Sequence, residues 1–400
     1  MSELTSLLDH NVENIYPSKE SLKLRLKSDS RLKIYIGIDP SSPNIHLGNA
    51  VALWKLREFQ NLGHEIILLI GDFTGTIGDP SGRDVTRKPL SFSEILGNSK
   101  KYKEQASKIL SFDGKNPAEI RYNSKWLGKL ELWDFMKIVS SFTIGQLIER
   151  DLFQRRMNEE KPIFLNEFLY PILQGYDSVA MEVDMEVGGT DQTFNMLIGR
   201  DLLKRFKGKE KFVLTVPLLP GLDGRKMSKS FKNTVEITDD PHNMVVKLMS
   251  LGDSLMSVYF RLCTKLSKEE IQKVELDLKE GIKNPMEIKK LLAKKIGVLY
   301  HREEEIEAAL KEFERVAQKG EPPKPAVKPL SSKLIQKSAV DILLILGMVK
   351  SKSEARRLIE QGGVSINSRK VISTEDKFDI EKGSLVQIGR FKAVLVKIET

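Results

Sequence analysis

The sequence predicts an α/β chain: a doubly wound parallel sheet, then an α-helical part, then a small α+β domain. Three observations lead there. An apolar run at residues 32–38, with β-branched Ile34, Ile36 and Ile38, is stopped by Asp39-Pro40 and passes through a polar turn into a helical pattern. A second run, 65–70, is apolar on both faces, as parallel strands buried between helix layers are. A proline-rich stretch at 319–329 then sets off a basic tail.

Four hundred residues provide ample core for two or three domains. The net charge of +9 favours an anionic partner, and residues 334–400 carry twelve Lys/Arg against eight Asp/Glu, so +4 of it sits in the tail. The single cysteine, Cys263, allows no internal disulfide and no Cys-based zinc site. The first residues lack a signal peptide's apolar core, and no run reaches the ~18 apolar residues of a membrane span. A cytoplasmic protein with no membrane partner is the expectation.

Residues 1–30 read as a helical lead-in. The first strand, 32–38, feeds a helix at 46–61 whose Leu47, Val51, Trp54 and Leu56 share one side; Gly63 ends it and 65–70 follows, a β-α-β crossover. The glycine-rich stretch 71–82 lies at a strand's carboxyl end, where open α/β sheets bind ligands. Helical periodicity at 101–109 and 130–142 flanks a strand at 119–122. Between 133 and 168 the apolar residues Phe135, Phe142, Ile144, Leu147, Ile148, Leu152 and Phe153 exceed what one thin layer should bury, so part of the insertion is expected to face a second subunit, the alternative being that they form ordinary core. A short helix starts at Tyr170, a strand covers 183–187, a turn at 188–192 enters a helix ending near Phe206, and 212–218 is the last sheet strand. From 241 to 318 the period is helical throughout. The expected domains are 1–224 with an insertion at about 125–168, a helical part at 225–318, a linker at 319–333 and a tail domain at 334–400.

Two motifs carry the chemistry. His46-Leu-Gly48-Asn49 opens the first helix, whose N-terminus offers unpaired N–H groups and the positive end of its dipole to phosphate, while Gly48 admits a ligand close to the backbone. Lys226-Met227-Ser228-Lys229-Ser230 places two ammonium groups in a loop bounded by glycine and asparagine. Together they resemble the paired signatures of the class I aminoacyl-tRNA synthetases. In the tail, Lys352, Arg356 and Arg357 precede Gly362-Gly363 and Val364-Ser-Ile-Asn367, an order that resembles the S4 RNA-binding domain.

Over nearly its whole length the chain resembles the bacterial tyrosyl-tRNA synthetases, a Rossmann-like fold. Tyr35-x-Gly37-x-Asp39, Ile77-Gly-Asp79-Pro, Tyr170-x-x-x-Gln174-x-x-Asp177 and Gly188-Gly-Thr-Asp191-Gln192 fall in that family's order. The resemblance implies that Tyr35 and Asp177 hold the phenolic hydroxyl of L-tyrosine and that Asp79, Tyr170 and Gln174 hold its ammonium. For ATP it implies Gly37, Asp39, Ser41, His46, Gly48, Asn49, Asp191 and Gln192, together with Lys226, Met227, Ser228, Lys229 and Ser230. His46, Asn49, Lys226 and Lys229 would be the catalytic set, although Asn49 stands where the motif has its second histidine. Mg²⁺ would accompany ATP; no structural zinc or other protein-bound metal is implied. Lys352, Arg356, Arg357, Arg369 and Lys370 would contact tRNA(Tyr), and a homodimer is implied. The rival readings are a tryptophanyl-tRNA synthetase and a catalytically silent, synthetase-derived RNA-binding protein.

Overall fold

The computed structural model describes residues 3–28, 30–80, 90–149, 151–228, 231–318, 325–349, 351–389 and 392–398. It divides into two compact units, Met1–Tyr300 and His301–Thr400.

The first unit is organised by six strands, β1 (Asn14–Tyr16), β2 (Lys33–Ile38), β3 (Glu65–Ile70), β4 (Glu119–Tyr122), β5 (Met185–Gly189) and β6 (Phe212–Val216), in the spatial order β1-β6-β5-β2-β3-β4. From β6 to β4 every pairing is parallel. Ile34, Ile36, Ile66, Ile67, Leu68, Leu69, Val213 and Leu214 are buried, each such side chain contributing about 1.5–3 kcal/mol of transfer free energy. The chain runs outward from β2 through β3 to β4, then returns to β5 on the other side of β2. The reversal places a crevice at the carboxyl ends of β2 and β5.

The lead-in is helical at Glu3–Asp9 and Lys19–Leu26, as expected, and departs from that expectation between them. There the segment Asn14–Tyr16 pairs antiparallel with β6 and closes one sheet edge. The helix expected to start at Tyr170 runs from Leu165 to Met181, with Pro171 inside it; it survives the lost N–H because buried apolar side chains hold it on both sides of that residue. This helix packs on Thr193–Lys207, where Gly175 and Gly199 meet: a Cβ on Gly175 would lie 3.0 Å from the Gly199 nitrogen. The latter helix closes on Gly208, at φ +63°, a left-handed cap that glycine adopts without strain.

In the insertion, Leu147 and Phe153 are buried and Phe142 packs on the core, so these three are not the surplus. Of the expected surplus, Ile144 is exposed, and Leu132, Trp133, Met136, Met157, Phe164 and Leu165 are exposed besides it, with Trp133 80% and Leu165 75% accessible. The side chain of Leu152 lies outside the described residues.

In the second unit, the stretch expected as linker contributes a strand, β7 (Ala326–Leu330). Next come β8 (Leu334–Ser338), β9 (Val364–Ile366), β10 (Arg369–Lys370), β11 (Lys377–Ile380), β12 (Leu385–Ile388) and β13 (Lys392–Ile398). Five of them form a sheet in the order β10-β9-β12-β13-β7, and β8 pairs with β11. Because β7 lies at the edge and runs parallel to β13, Pro329 costs no interior ladder bond. The core gathers Val340, Ile342, Leu343, Ile359, Val364, Ile366 and Val386.

Candidate active site

The crevice between β2 and β5 opens into a cavity of about 900 Å³, within the range of small-molecule sites. Asp39, just past β2, is held twice. Thr74 Oγ1 donates to its Oδ1 at 2.7 Å and the Tyr170 hydroxyl to its Oδ2 at 2.8 Å. Gly71 makes this possible, since a Cβ there would sit 2.0 Å from Asp39 Oδ1. Burial, then the charges of Asp39 and Asp79, holds the Tyr170 phenol well above its ordinary pKa, so it stays protonated and donates.

Asp177, 2% exposed, accepts from Trp126 Nε1 at 2.8 Å and from Asn123 Nδ2 at 3.2 Å. Burial above all raises its carboxyl well above the usual range. Asn123 also accepts from the Phe73 N–H at 2.9 Å and donates to Thr74 at 3.0 Å, tying the end of β4 to the glycine-rich turn. Neither Asn123 nor Trp126 carries a motif, and only the position after β4 could have pointed to them.

Along the opposite wall runs a chain of amides. Gln192 Nε2 donates to Asp79 at 2.8 Å, Asn195 Nδ2 donates to Gln192 at 3.1 Å and to Gln174 at 2.9 Å, and Gln174 Nε2 reaches Glu186 at 3.3 Å. Tyr170, Gln174 and Asp177 share the inward face of one helix, and each lines the cavity.

Tyr35 does not line the cavity. Fully buried, its hydroxyl lies 2.9 Å from Ser178 Oγ. Burial, with the Glu186 and Asp177 carboxylates nearby, holds its pKa well above the ordinary value.

The cavity lining also includes the N-terminus of the helix Leu47–Asn61 and the lysine loop. His46 caps the helix Leu47–Asn61, and the side-chain oxygen of Asn49 accepts from the His46 backbone N–H at 3.3 Å, so Asn49 completes the cap of its own motif. The segment after the lysine loop pairs with this motif: the Leu47 N–H donates to Val235 O at 2.9 Å and the Ile237 N–H to Ile45 O at 3.0 Å. Lys226 Nζ lies 2.6 Å from Asp191 Oδ2, and Met227 is buried beside Gly48. Asn233 fastens the base of the loop, accepting from the Ser228 N–H at 2.8 Å and donating to Asp223 at 2.7 Å and to Lys226 O at 3.1 Å. Lys229 and Ser230 lie outside the described residues. Gly37, Asp39, Ser41, His46, Gly48, Asn49, Asp79, Asp191, Gln192, Lys226, Met227 and Ser228 all line the same cavity. Carboxylates in the lining suit an ammonium, and a helix N-terminus with a lysine in the same lining suits phosphates.

A family model described as "tRNA synthetases class I (W and Y)" matches residues 27–318. The chain belongs to this family. A second model, of the S4 domain, matches residues 340–377 of this synthetase. A Thermotoga maritima relative named tyrosine–tRNA ligase is 43% identical over 395 residues, covering 98% of this chain and 96% of the relative. One from Aquifex aeolicus with the same name is 43% identical over 377 residues, covering 94% and 93%. The fold is also that of a tyrosyl-tRNA synthetase from Archaeoglobus fulgidus complexed with L-tyrosine, at TM-score 0.61 and 23% identity over 77% of this chain and 99% of that one.

In the S4 part, Lys352, Arg356 and Arg357 lie on the helix Lys352–Glu360, and Arg369 and Lys370 form β10; all five are exposed. Lys352 Nζ lies 3.3 Å from Asp341. The Lys370 side chain passes over Gly362, where a Cβ would come within 2.8 Å of its Nζ, which gathers the strand's charge beside the end of that helix. Among the described residues no helix is long and apolar enough to cross a membrane.

Proposed function

We infer that this synthetase is a tyrosine–tRNA ligase: it activates L-tyrosine with MgATP to tyrosyl-adenylate and pyrophosphate, then transfers tyrosine to the 3′ end of tRNA(Tyr). The observation that carries this is Asp177, a buried carboxylate at a cavity wall, in a chain whose relatives bear that name at 43% identity over nearly their full length. A site built to bond a phenolic hydroxyl rejects phenylalanine because its polar groups are left unpaired, behaviour for which tyrosyl-tRNA synthetase is itself the standard example.

Asp177 takes the phenolic hydroxyl, with Tyr35 acting from behind the wall. Asp79, Tyr170 and Gln174 take the ammonium, and the Tyr170 bond to Asp39 brings a second carboxylate to that charge. The tyrosine carboxylate attacks the α-phosphorus of ATP, its bond to phosphorus forms as the bridge to the β-phosphate breaks, and pyrophosphate carries the electron pair away. No covalent enzyme intermediate is needed. The chain supplies alignment, and positive charge where negative charge develops: His46 and the helix N-terminus at Gly48 and Asn49, with Lys226 and Lys229 on the loop. Gly37, Asp39, Ser41, Asp191, Gln192, Met227, Ser228 and Ser230 complete the ATP contacts. The exposed apolar patch about Trp133 and Leu165 forms a two-fold interface with a second copy, and the five cations of the S4 part bind tRNA phosphates. Charging of bacterial tRNA with labelled tyrosine in the presence of ATP tests the whole reading; a chain that leaves tRNA uncharged with tyrosine refutes it.

A further inference from the structure

Behind the cavity wall, around Tyr35, lies a buried charged cluster whose other members, Lys211, Glu186 and Ser178, have no part in the assigned chemistry. Tyr35 on β2 and Glu186 on β5 are register partners, and Glu186 is in turn opposite Val213 on β6. Lys211 precedes Val213 by two residues and so points to the same face of the sheet. Its side chain runs past Gly199, where a Cβ would come within 2.7 Å of Nζ. It ends between Ser178 Oγ, to which it donates at 2.8 Å, and the Glu186 carboxylate, with which it forms an ion pair. Ser178 Oγ in turn meets the Tyr35 hydroxyl at 2.9 Å, and the Lys211 ammonium lies 5.8 Å from the Tyr35 ring centroid. Lys211, Ser178 and Tyr35 are fully buried and Glu186 is 2% exposed. Only Glu186 reaches the cavity, where it accepts from Gln174.

A buried ion pair is a poor source of stability, since desolvation of both ions offsets their attraction, and a well-packed neutral pair often replaces one at no loss. This pair does have a geometric consequence. Glu186 orients the amide of Gln174 on the cavity side, while Lys211, through Ser178, fixes the hydroxyl of Tyr35 on the sheet side. We propose that Lys211 and Glu186 are positioning residues for amino-acid specificity, holding Tyr35 and Gln174 in the arrangement that favours a phenol-bearing substrate over phenylalanine. This rests on the tyrosine–tRNA ligase reading. With Lys211 absent, Ser178 Oγ loses its charged donor and is no longer held in place against the Tyr35 hydroxyl. With Glu186 neutral, Gln174 loses a charged acceptor, and such hydrogen bonds are the stronger kind.

The test compares wild type, Lys211→Met, Glu186→Gln and the double variant in ATP–pyrophosphate exchange with tyrosine and with phenylalanine, together with thermal melting. Each single variant leaves one buried charge unmatched and should melt lower. The double variant should recover most of the lost Tm and keep its KM for ATP, yet show a KM for tyrosine raised about tenfold and a tyrosine-to-phenylalanine ratio of kcat/KM at least tenfold lower. Ser178→Ala, which removes one hydroxyl and no charge, should lower the same ratio even if the double variant does not fold. If the double variant, or Ser178→Ala where the double variant does not fold, keeps the wild-type ratio, the cluster is structural only and the inference is overturned. Wild-type protein that exchanges with neither amino acid overturns the ligase reading itself.

Discussion

The Lys226 ammonium lies 2.6 Å from the Asp191 carboxylate, so the first lysine of the loop is docked on the turn after β5, at the edge of the cavity. A charge on a loop serves the transition state more than the ground state. Lys226→Ala should lower the single-turnover rate of adenylate formation by about 100-fold, the usual scale for a lost donor to developing charge, while the Kd for tyrosine stays within about twofold. Stopped-flow formation of the adenylate with equilibrium binding on the same sample checks this; a weakened Kd at an unchanged rate would refute the assignment.

Asn233 holds three points of that loop. Asp223, bonded first by Asn233 and then by Arg225, has its carboxyl lowered to about 2. A depressed folded-state pKa supports the turn above the unfolded value, near 3.8, and that support disappears as pH falls through about 2. Asn233→Ala should therefore move the Asp223 midpoint upward in an NMR titration and slow adenylate formation without changing tyrosine affinity. An unmoved midpoint would mean that the bond does not form in solution.

The patch about Trp133 and Leu165 should be covered by a second copy. Sedimentation equilibrium at micromolar concentration should give twice the 45.4 kDa chain mass, and Trp133→Glu should shift the protein to monomer. A monomeric wild type would exclude the interface.

Truncation after Gln318 removes the S4 part and spares every proposed tyrosine and ATP residue. Pyrophosphate exchange should persist and tRNA charging fall steeply. In the full chain, Arg356→Ala with Arg357→Ala should weaken tRNA binding and reduce its salt slope by roughly one unit for each phosphate no longer neutralised. Equal loss of exchange and charging on truncation would show instead that the tail supports the fold.

The parts of this chain legible in the sequence are those where chemistry forces spacing. Tyr170, Gln174 and Asp177 recur at helical intervals because one helix face must present all three. The runs of β2 and β3 are apolar because both faces are covered. Short or edge elements leave little signal: Asn14–Tyr16 is too brief to show alternation, and Pro329 hides a strand that only an edge position permits. Lys211 is silent for a different reason. Within Lys207-Gly-Lys-Glu-Lys211 it reads as one more solvated charge, and only the packing of Gly175 on Gly199 reveals the space it fills. Tyr35 is marked by its motif, but its partner, Ser178, lies more than a hundred residues away and carries no signal of its own.

The central claim is amino-acid identity, and ATP–pyrophosphate exchange by the full chain with tyrosine, tryptophan and phenylalanine in parallel measures it most directly. Tyrosine should drive exchange with a kcat/KM orders of magnitude above either of the others. Exchange driven by tryptophan and not by tyrosine, or by no amino acid at all, would contradict the account.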